Sequence, residues 1–284
     1  MEQGCDLEYL RRWIGRSERR EETLAAFPHR ALKATLEAPY AGDGEDGTCL
    51  PPLWHWLYFL PLDATTSLAA DGHPRKGGFL PPVPLPRRMW AGGRFAFGSP
   101  LRVGARAVRT STVTRVDARR GRSGELVFVT VRHDVKAGDS PCLQEEHDIV
   151  YRAAAGGRDR AAAEAVGAGA FNREVVADEV LLFRYSALTF NGHRIHYDRR
   201  YATEVEGYPG LVVHGPLIAT LLIDLLLRER PSAELAAFEF RALGPVFDGR
   251  PFQLCGSCDE DGDARLWVRD DHGRQAMAAR ARLR

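Results

Sequence analysis

Apolar and polar positions divide the chain into two stretches that carry the same order of predicted elements. Each stretch contains a segment that is apolar on nearly every side, at residues 50–60 and at residues 216–227. A helix without a polar face is usually buried, because none of its sides prefers water. Segments with alternating or β-branched apolar residues follow both, as in strands. The pattern predicts one unit of helix and strands that occurs twice.

Composition and turn residues add the boundaries. Residues 1–40 have a polar, helical pattern, and residues 72–100 are rich in proline and glycine, which predicts a long irregular loop. Residues 153–170 are mostly alanine, glycine and charged residues and carry little that could pack into a core. We therefore predict an N-terminal half at 1–152, a surface linker at 153–170 and a C-terminal half at 171–284. The predicted strands lie at 101–116, 125–135, 143–151, 180–187, 237–242, 251–258, 264–270 and 275–283.

An antiparallel sheet that curls round a single helix explains why that helix has no polar face. This α+β arrangement is the hot-dog fold, and two in series make a double hot dog. The alternative is an unrelated α+β chain in which the two apolar helices are ordinary core helices. The aromatic residues Trp54, Trp56, Tyr58 and Phe59 are expected to belong to the core in either case.

Composition excludes several classes of protein. The 284 residues include 39 Lys and Arg against 38 Asp and Glu, a formal charge of +1. This argues against nucleic-acid binding, which needs a basic field. The most apolar stretch, at 211–227, is too short and too interrupted to span a membrane. Five cysteines cannot all pair, and the chain does not open with a signal-peptide pattern. We expect a cytoplasmic protein without a membrane segment.

The densest group of chemically active side chains lies at residues 183–198. A predicted strand ends there, and Asn191, His193 and His196 follow within six positions. A histidine titrates near neutral pH and can act as a general base. An asparagine can hold a water molecule, because its amide both donates and accepts hydrogen bonds. The group therefore predicts acid–base chemistry on a bound water molecule.

The second predicted helix begins at Gly215-Pro216. Proline suits the first turn of a helix, and a glycine lets a ligand oxygen approach the backbone amide closely. Free amides at a helix start carry the positive end of the helix dipole. They could stabilise a thioester oxygen that gains negative charge. The alternative is that Gly215 only permits a tight turn.

A metal site is a weaker interpretation of the same residues. His193, His196 and His214 could supply three nitrogen ligands, but no carboxylate motif accompanies them. We therefore expect neither a metal nor a cofactor. Arg184 and Arg194 could bind a substrate carboxylate or the phosphates of coenzyme A, or they could be solvated surface arginines.

The run from 183 to 198 resembles the hydratase motif of the MaoC-like, R-specific enoyl-CoA hydratases. Asn191 falls where that family has its catalytic aspartate, His193 where it has an asparagine, and His196 on its catalytic histidine. Val-His-Gly at 213–215 resembles the start of the family's central helix, whose glycine amide contributes to the oxyanion hole. The resemblance implies catalytic roles for His196, Asn191, Gly215 and His193.

The motif is most similar to one branch of that family. This branch holds the mitochondrial type 2 hydroxyacyl-thioester dehydratases, the mesaconyl-C4-CoA hydratases and the itaconyl-CoA hydratases. The resemblance implies an acyl-CoA substrate, a homodimer, and an N-terminal half that accommodates the acyl chain or the coenzyme. Around the catalytic residues, we predict substrate contacts from Arg184, Arg194, Tyr185, Val213 and His214.

Three functions follow from this interpretation. The first is reversible hydration of itaconyl-CoA or mesaconyl-C4-CoA to citramalyl-CoA, as in itaconate degradation. The second is a 3-hydroxyacyl-thioester dehydratase of fatty-acid synthesis, acting on a CoA or acyl-carrier-protein thioester. The third is a binding module for acyl-CoA without catalysis. Because Asn191 cannot accept a proton, His196 alone is expected to carry both proton transfers of a hydratase.

Overall fold

The computed structural model describes residues 5–121, 124–153, 164–260 and 262–284. Four α-helices and ten strands form the fold. The helices are α1 (Leu7–Arg11), α2 (Ala26–Leu36), α3 (Glu179–Leu188) and α4 (Gly215–Glu229). The strands are β1 (Ser17–Thr23), β2 (Arg87–Phe97), β3 (Arg106–Gly121), β4 (Gly124–Ala137), β5 (Ser140–Arg152), β6 (Phe171–Val176), β7 (Leu235–Ala242), β8 (Pro251–Cys258), β9 (Ala264–Arg269) and β10 (Gln275–Leu283).

All ten strands belong to one antiparallel sheet with the order β1-β3-β4-β5-β2-β7-β10-β9-β8-β6. The strand order is the same in both halves when it is followed inward from each end of the sheet. Strands β1, β3, β4, β5 and β2 of the first half correspond to β6, β8, β9, β10 and β7 of the second. The halves meet where Gly92–Ala96 of β2 pairs with Ala237–Arg241 of β7. The sheet is therefore continuous, and each half of the sequence forms one half of it.

Helix α4 lies at the centre of the C-terminal half of the sheet. Every residue from 217 to 227 is buried, which confirms the prediction of a helix with no solvent-facing side. The one acid in this run, Asp224, is completely buried and accepts hydrogen bonds from Arg228 at 2.9 Å and from the Tyr40 hydroxyl at 2.9 Å. A buried carboxylate is tolerated when it is paired in this way. Because Tyr40 belongs to the N-terminal half, this bond also joins the two halves.

The predicted first-half helix at 50–60 was wrong. Only Trp54–Leu57 form a short 3₁₀ turn, because Leu53 and Phe59 have φ values of 71° and 55° and so interrupt a right-handed helix on both sides. The side chains are nevertheless core residues: Trp54, Tyr58 and Phe59 are buried, as predicted. The long helix of this half is α2, which the sequence pattern had merged into a helical segment at 1–40.

Two further segments differ from the prediction. Within residues 1–40 the chain forms the edge strand β1, whose side chains alternate between half-buried and exposed although almost all are polar. Within the predicted loop 72–100 it forms β2, a central strand of the sheet. The glycines of β2 allow this placement: a Cβ at Gly92 would come within 2.5 Å of the Phe240 carbonyl oxygen.

The strand predicted at 180–187 is the helix α3. The Asp178 carboxylate accepts a hydrogen bond from the Leu181 amide at 2.8 Å and caps the helix. Leu182, Tyr185 and Ser186 are buried whereas Phe183 is 65 % exposed, which is a helical and not a strand period. The short apolar run alone did not distinguish these possibilities.

The remaining predicted strands agree with β3, β4, β5, β7, β8, β9 and β10 to within a few residues. Residues 154–163 of the predicted linker lie outside the described residues, so the boundaries at 152 and 171 stay a prediction. Among the described residues, no helix is long and apolar enough to cross a membrane.

Candidate active site

His196 ends a 3₁₀ turn (Arg194–His196) in the loop between α3 and α4. Its side chain is 7 % exposed, and its Nδ1–H donates to the Val212 carbonyl oxygen at 2.7 Å. The Ile195 carbonyl in turn accepts from the Val212 amide at 3.0 Å, so the turn is held against the strand-like segment before α4. The position of the imidazole is thus fixed through backbone contacts on both sides.

The same hydrogen bond defines the tautomer of His196. With the proton on Nδ1, the lone pair lies on Nε2. The Nε2 atom has no hydrogen-bond partner among the described residues. In contrast to the Nδ1 of His214, it is not one of the unpaired polar atoms that are fully buried. Burial lowers the pKa of His196 to about 4, so the imidazole is neutral at pH 7. His196 is therefore a neutral base with an accessible lone pair.

His214 supports the ring of His196 from behind. The two rings are stacked with centroids 3.8 Å apart and planes 17° apart. His214 is completely buried, and its Nε2 lies 2.8 Å from the Ser186 hydroxyl of α3. The Tyr185 ring contacts it edge-on at 5.0 Å. Tyr185 and His214 were predicted to contact substrate; both are buried, with His214 stacked on His196 and Tyr185 against His214, and their substrate contact stays a prediction.

Gly215 directly follows His214 and begins α4. The first intrahelical bond runs from Ile218 N–H to the His214 carbonyl, so the Gly215 N–H lies before the hydrogen-bonded turns. It donates to no group among the described residues. An added Cβ at Gly215 would meet no atom within 4 Å. The helix start therefore has an amide without a partner among the described residues and open space beside its Cα, one residue from the ring that stacks on the base.

His193 and Asn191 shape the loop in front of His196. The Asn191 Oδ1 accepts from the His193 amide at 3.0 Å, which closes a tight turn. The His193 ring is perpendicular to that of His196, with centroids 5.3 Å apart. Burial lowers the pKa of His193 as well, so this second imidazole is also neutral.

The N-terminal half contributes two site residues that the sequence did not suggest. The His73 ring lies 4.0 Å from that of His193, and the His73 Nδ1–H donates to the Asp71 carboxylate at 3.0 Å. Gly72, which lies between Asp71 and His73 in the sequence, packs closely against the backbone of Gly192. A Cβ at Gly72 would lie 1.8 Å from the Gly192 carbonyl oxygen. Asp71 and His73 lie in the proline- and glycine-rich loop, where no periodic pattern marked them.

The structure uses the other predicted substrate contacts differently. Arg194 binds the Asp198 carboxylate at 2.7 Å and the Ala70 carbonyl oxygen at 3.0 Å, so its charge is already paired. Arg184 is an exposed residue of α3. Val213 is buried, and its amide donates to Val246. Among the described residues, no contact of Arg184, Arg194 or Val213 directs its side chain toward Gly215.

The weaker alternative, a metal site of His193, His196 and His214, does not form among the described residues. Among the described residues, His193 is grouped with Asp71 and His73, whose ligand atoms lie within 4.8 Å of one another, and not with His196 and His214. A second such group, in the N-terminal half, consists of His133, Glu145 and His147. Imidazole and carboxylate are suitable ligands for zinc. In both groups, however, the carboxylate already accepts hydrogen bonds from protein groups.

The arrangement can activate water and stabilise an oxyanion. A neutral imidazole can take a proton from water, and a free amide at a helix start can bind the oxygen that becomes negative. These are the requirements for adding water to a double bond conjugated with a thioester, or for the reverse elimination. The fold and the site thus define a hydro-lyase built on two hot-dog units.

Comparison with known proteins places the chain in a family. A family model described as hydroxyacyl-thioester dehydratase type 2 matches residues 53–248. The chain is 49% identical over 246 residues to a mesaconyl-C(4)-CoA hydratase of Chloroflexus aurantiacus, covering 85% of this chain and 86% of that protein. The chain belongs to the hydroxyacyl-thioester dehydratase type 2 family.

Solved structures show the same fold. A MaoC-like dehydratase from Phytophthora capsici superposes with a TM-score of 0.69 at 14% identity, covering 98% of both chains. A Mycobacterium tuberculosis protein described as having a double hotdog fold superposes with a TM-score of 0.60 at 16% identity, covering 95% of this chain and 96% of that one. The predicted double hot dog is therefore confirmed.

Proposed function

We propose that this enzyme adds water reversibly to mesaconyl-C4-CoA to form citramalyl-CoA; itaconyl-CoA, in which the double bond is not conjugated with the thioester, would have to isomerise to mesaconyl-C4-CoA before this addition. The similarity to the Chloroflexus hydratase over most of both chains supports this substrate class. The observation that carries the chemistry is the stacking of His196 on His214, the residue directly before the free Gly215 amide. It holds a base and an oxyanion donor at one end of α4.

The reaction follows from these two groups. The His196 Nε2 takes a proton from water, and the resulting hydroxide attacks the β-carbon of the enoyl thioester. The electron pair of the double bond moves onto the thioester oxygen, where the Gly215 N–H stabilises the enolate. The imidazolium then gives a proton to the α-carbon. One hydrogen and one hydroxyl are added in total, and the base is neutral again.

Asn191 replaces the carboxylate that this family commonly carries, so the second acid–base group is absent at that position. Its Oδ1 is occupied by the His193 amide, and its Nδ2 remains as a donor for the nucleophilic water. His193 holds the loop against His73. In this mechanism, His196 performs both proton transfers on one face of the substrate.

A panel of thioesters tests the proposal. The loss of enoyl-thioester absorbance is measured with mesaconyl-C4-CoA and crotonyl-CoA at equal concentration, and citramalyl-CoA formed from itaconyl-CoA is measured by chromatography. Fastest turnover of mesaconyl-C4-CoA supports the proposal. Turnover of crotonyl-CoA or longer chains alone would favour the dehydratase of fatty-acid synthesis. The match to the hydroxyacyl-thioester dehydratase type 2 family supports this alternative. No turnover of any thioester would favour a binding module.

We further propose that the enzyme acts as a homodimer in the cytoplasm. Hot-dog enzymes commonly associate, and the five cysteines are free thiols in the structure, as in a reducing compartment. Sedimentation of the purified chain tests the subunit number: a dimer has a mass near twice 31.5 kDa.

A further inference from the structure

Three side chains of the N-terminal half form a group that the proposed reaction does not use. His133 on β4 pairs directly with Glu145 on β5, and His147 lies two positions further along β5. Directly paired residues have Cβ atoms about 5 Å apart, and positions two apart share one face of a sheet. One nitrogen or oxygen atom of each side chain lies within 4.8 Å of the other two. The strand register therefore brings three possible ligand atoms together.

The corresponding strands of the C-terminal half have an apolar core instead. In the strand order, β9 and β10 correspond to β4 and β5. The buried residues of β9 and β10 are all apolar: Ala264, Leu266, Val268, Ala276, Met277 and Ala281. Glu145, by contrast, is 3 % exposed, and a buried carboxylate is rare and costly. Because one half folds with apolar residues on these strands, the polar group in the other half needs a reason beyond the fold.

Both imidazoles of the group are held in place and keep an unpaired nitrogen. The His133 Nδ1 lies 2.8 Å from the hydroxyl of the buried Ser111 on β3, which can accept its proton and leave the lone pair on Nε2. The His147 ring is stacked on the Trp90 ring with centroids 3.7 Å apart. The His133 Nε2 and both nitrogens of His147 have no hydrogen bond among the described residues. None of them is one of the unpaired polar atoms that are fully buried, so they border accessible space.

The hydrogen bonds of Glu145 come from outside the group. Its two oxygens accept from His55 Nε2 at 2.9 Å and from Trp56 Nε1 at 3.1 Å. Each carboxylate oxygen has two lone pairs, and carboxylates that bind metals are commonly fixed by such bonds. In the group of Asp71, His73 and His193, by contrast, two members are bonded to each other, since His73 lies 3.0 Å from Asp71. Of the two groups, the one around Glu145 therefore keeps a free ligand atom on every member.

The donor set decides which kind of ligand fits. Two neutral imidazoles and a carboxylate all offer lone pairs, so they attract a cation and repel an anion. Magnesium and calcium prefer oxygen ligands, whereas imidazole nitrogen suits zinc and similar transition metals. Arg109 lies two positions from Ser111 on the same face of β3, and its positive charge opposes an ion that is held by charge alone. The group therefore fits a transition metal.

We propose that His133, Glu145 and His147 bind one Zn²⁺ or a similar divalent transition-metal ion. The ion links β4 to β5, and three protein ligands leave a fourth position for water. Sequence motifs did not indicate this site, because His133 reaches Glu145 only through strand pairing. The proposal is independent of the hydratase reaction, whose groups lie in the loop before α4 and at the start of that helix.

Metal titration of the purified, tag-free chain tests the site. The protein is dialysed against a chelator, the chelator is removed, and Co²⁺ is added while its visible absorption is recorded. Zn²⁺ and Mg²⁺ are then added separately as competitors. We expect one equivalent of Co²⁺ to bind, Zn²⁺ to displace it and Mg²⁺ to leave it bound. A wild-type chain that does not bind Co²⁺ or Zn²⁺ would overturn the proposal without any variant.

Four variants locate the ion. His133→Gln and His147→Gln each remove one ligand and should weaken binding by about 100-fold or more, since changes that only support a ligand already cost 10- to 100-fold. Ser111→Ala, which removes such a support, should weaken it roughly 10-fold. His73→Gln in the group with Asp71 should have no effect on the affinity. The exposed His272→Gln is the control.

Melting temperatures with and without Zn²⁺ accompany these titrations. They identify any variant that does not fold, and the ion should raise the melting temperature only of chains that keep the site. Unchanged affinity in both His133→Gln and His147→Gln would overturn the site. Loss of the bound ion in His73→Gln instead would overturn it as well and place the metal in the other group.

Discussion

The two halves of the sheet have the same strand order but differ in whether their buried polar groups have hydrogen-bond partners. In the C-terminal half, the Nε2 of His196 and the amide of Gly215 are left without protein partners among the described residues. In the N-terminal half, the completely enclosed carboxylate of Glu145 accepts from His55 Nε2 at 2.9 Å and from Trp56 Nε1 at 3.1 Å. One half keeps groups available for a substrate, whereas the other uses them internally.

The starts of the two long helices differ in the same way. At α2 the Ala25 carbonyl accepts from the Tyr58 hydroxyl at 2.7 Å, and no glycine is present in the first turn. At α4 the first residue is a glycine beside open space. The two long helices therefore start differently: the start of α2 is covered by Tyr58, whereas α4 begins beside open space.

The largest effect should come from His196→Ala. Removing the single base should lower kcat for hydration by about 10³-fold or more, because Asn191 cannot accept a proton and burial lowers the pKa of His193 below that of His196, which makes it the weaker base. The UV assay measures the rate, and circular dichroism checks that the variant folds. His272→Ala, an exposed histidine, is the matched control. A rate within tenfold of wild type would remove His196 from the mechanism.

Glu145→Ala should act on stability and not on chemistry. It leaves the buried donors of His55 and Trp56 without their acceptor, which should cost about 3 kcal/mol of unfolding free energy. Denaturant unfolding measures the loss. The neighbouring Glu146→Ala, which removes an exposed ion pair with Arg94, should cost less than about 1 kcal/mol. If Glu145→Ala abolished turnover in a fully folded protein, the N-terminal half would share in the chemistry.

Gly215→Ala should separate stability from activity. The new methyl group meets no atom within 4 Å and the backbone is not in the left-handed region, so the fold should keep its stability or gain about 0.5 kcal/mol. The methyl group fills the space where the thioester oxygen would bind, so kcat/KM should fall roughly 10- to 100-fold. Gly167→Ala, equally unobstructed, is the control. Unchanged activity would contradict the oxyanion role.

The smallest effect concerns pH. His196 must be neutral to act, so kcat/KM should fall about tenfold for each pH unit below its pKa of about 4 and stay level above it. The folded pKa lies below the ordinary value of 6.5, so the unfolded chain takes up the proton first. Stability should therefore be complete above pH 6.5 and decline as the pH falls toward 4. Initial rates and melting temperatures across pH 3–8 measure both.

The sequence predicted the structure best where the pattern of apolar positions was clear. The all-apolar segment predicted α4, and seven of the eight predicted strands formed. It failed where long-range packing decides: β2 becomes a central strand although it has two glycines, because β7 approaches its backbone closely. It also missed Asp71 and His73, which reach His193 only after two distant loops pack together. Asn191, His193, His196 and Gly215 were predicted from their local motif; the structure places the His193 and His196 rings side by side, and their catalytic roles stay a prediction.

The most direct test is the stereochemistry of water addition. Mesaconyl-C4-CoA is hydrated in D₂O by the wild-type enzyme, and NMR of the product gives the relative configuration of the new deuterium and the hydroxyl group. Since one imidazole handles both transfers, both groups should arrive on the same side of the double bond, a syn addition. An anti addition would require a second acid on the opposite face and would contradict the single-base account.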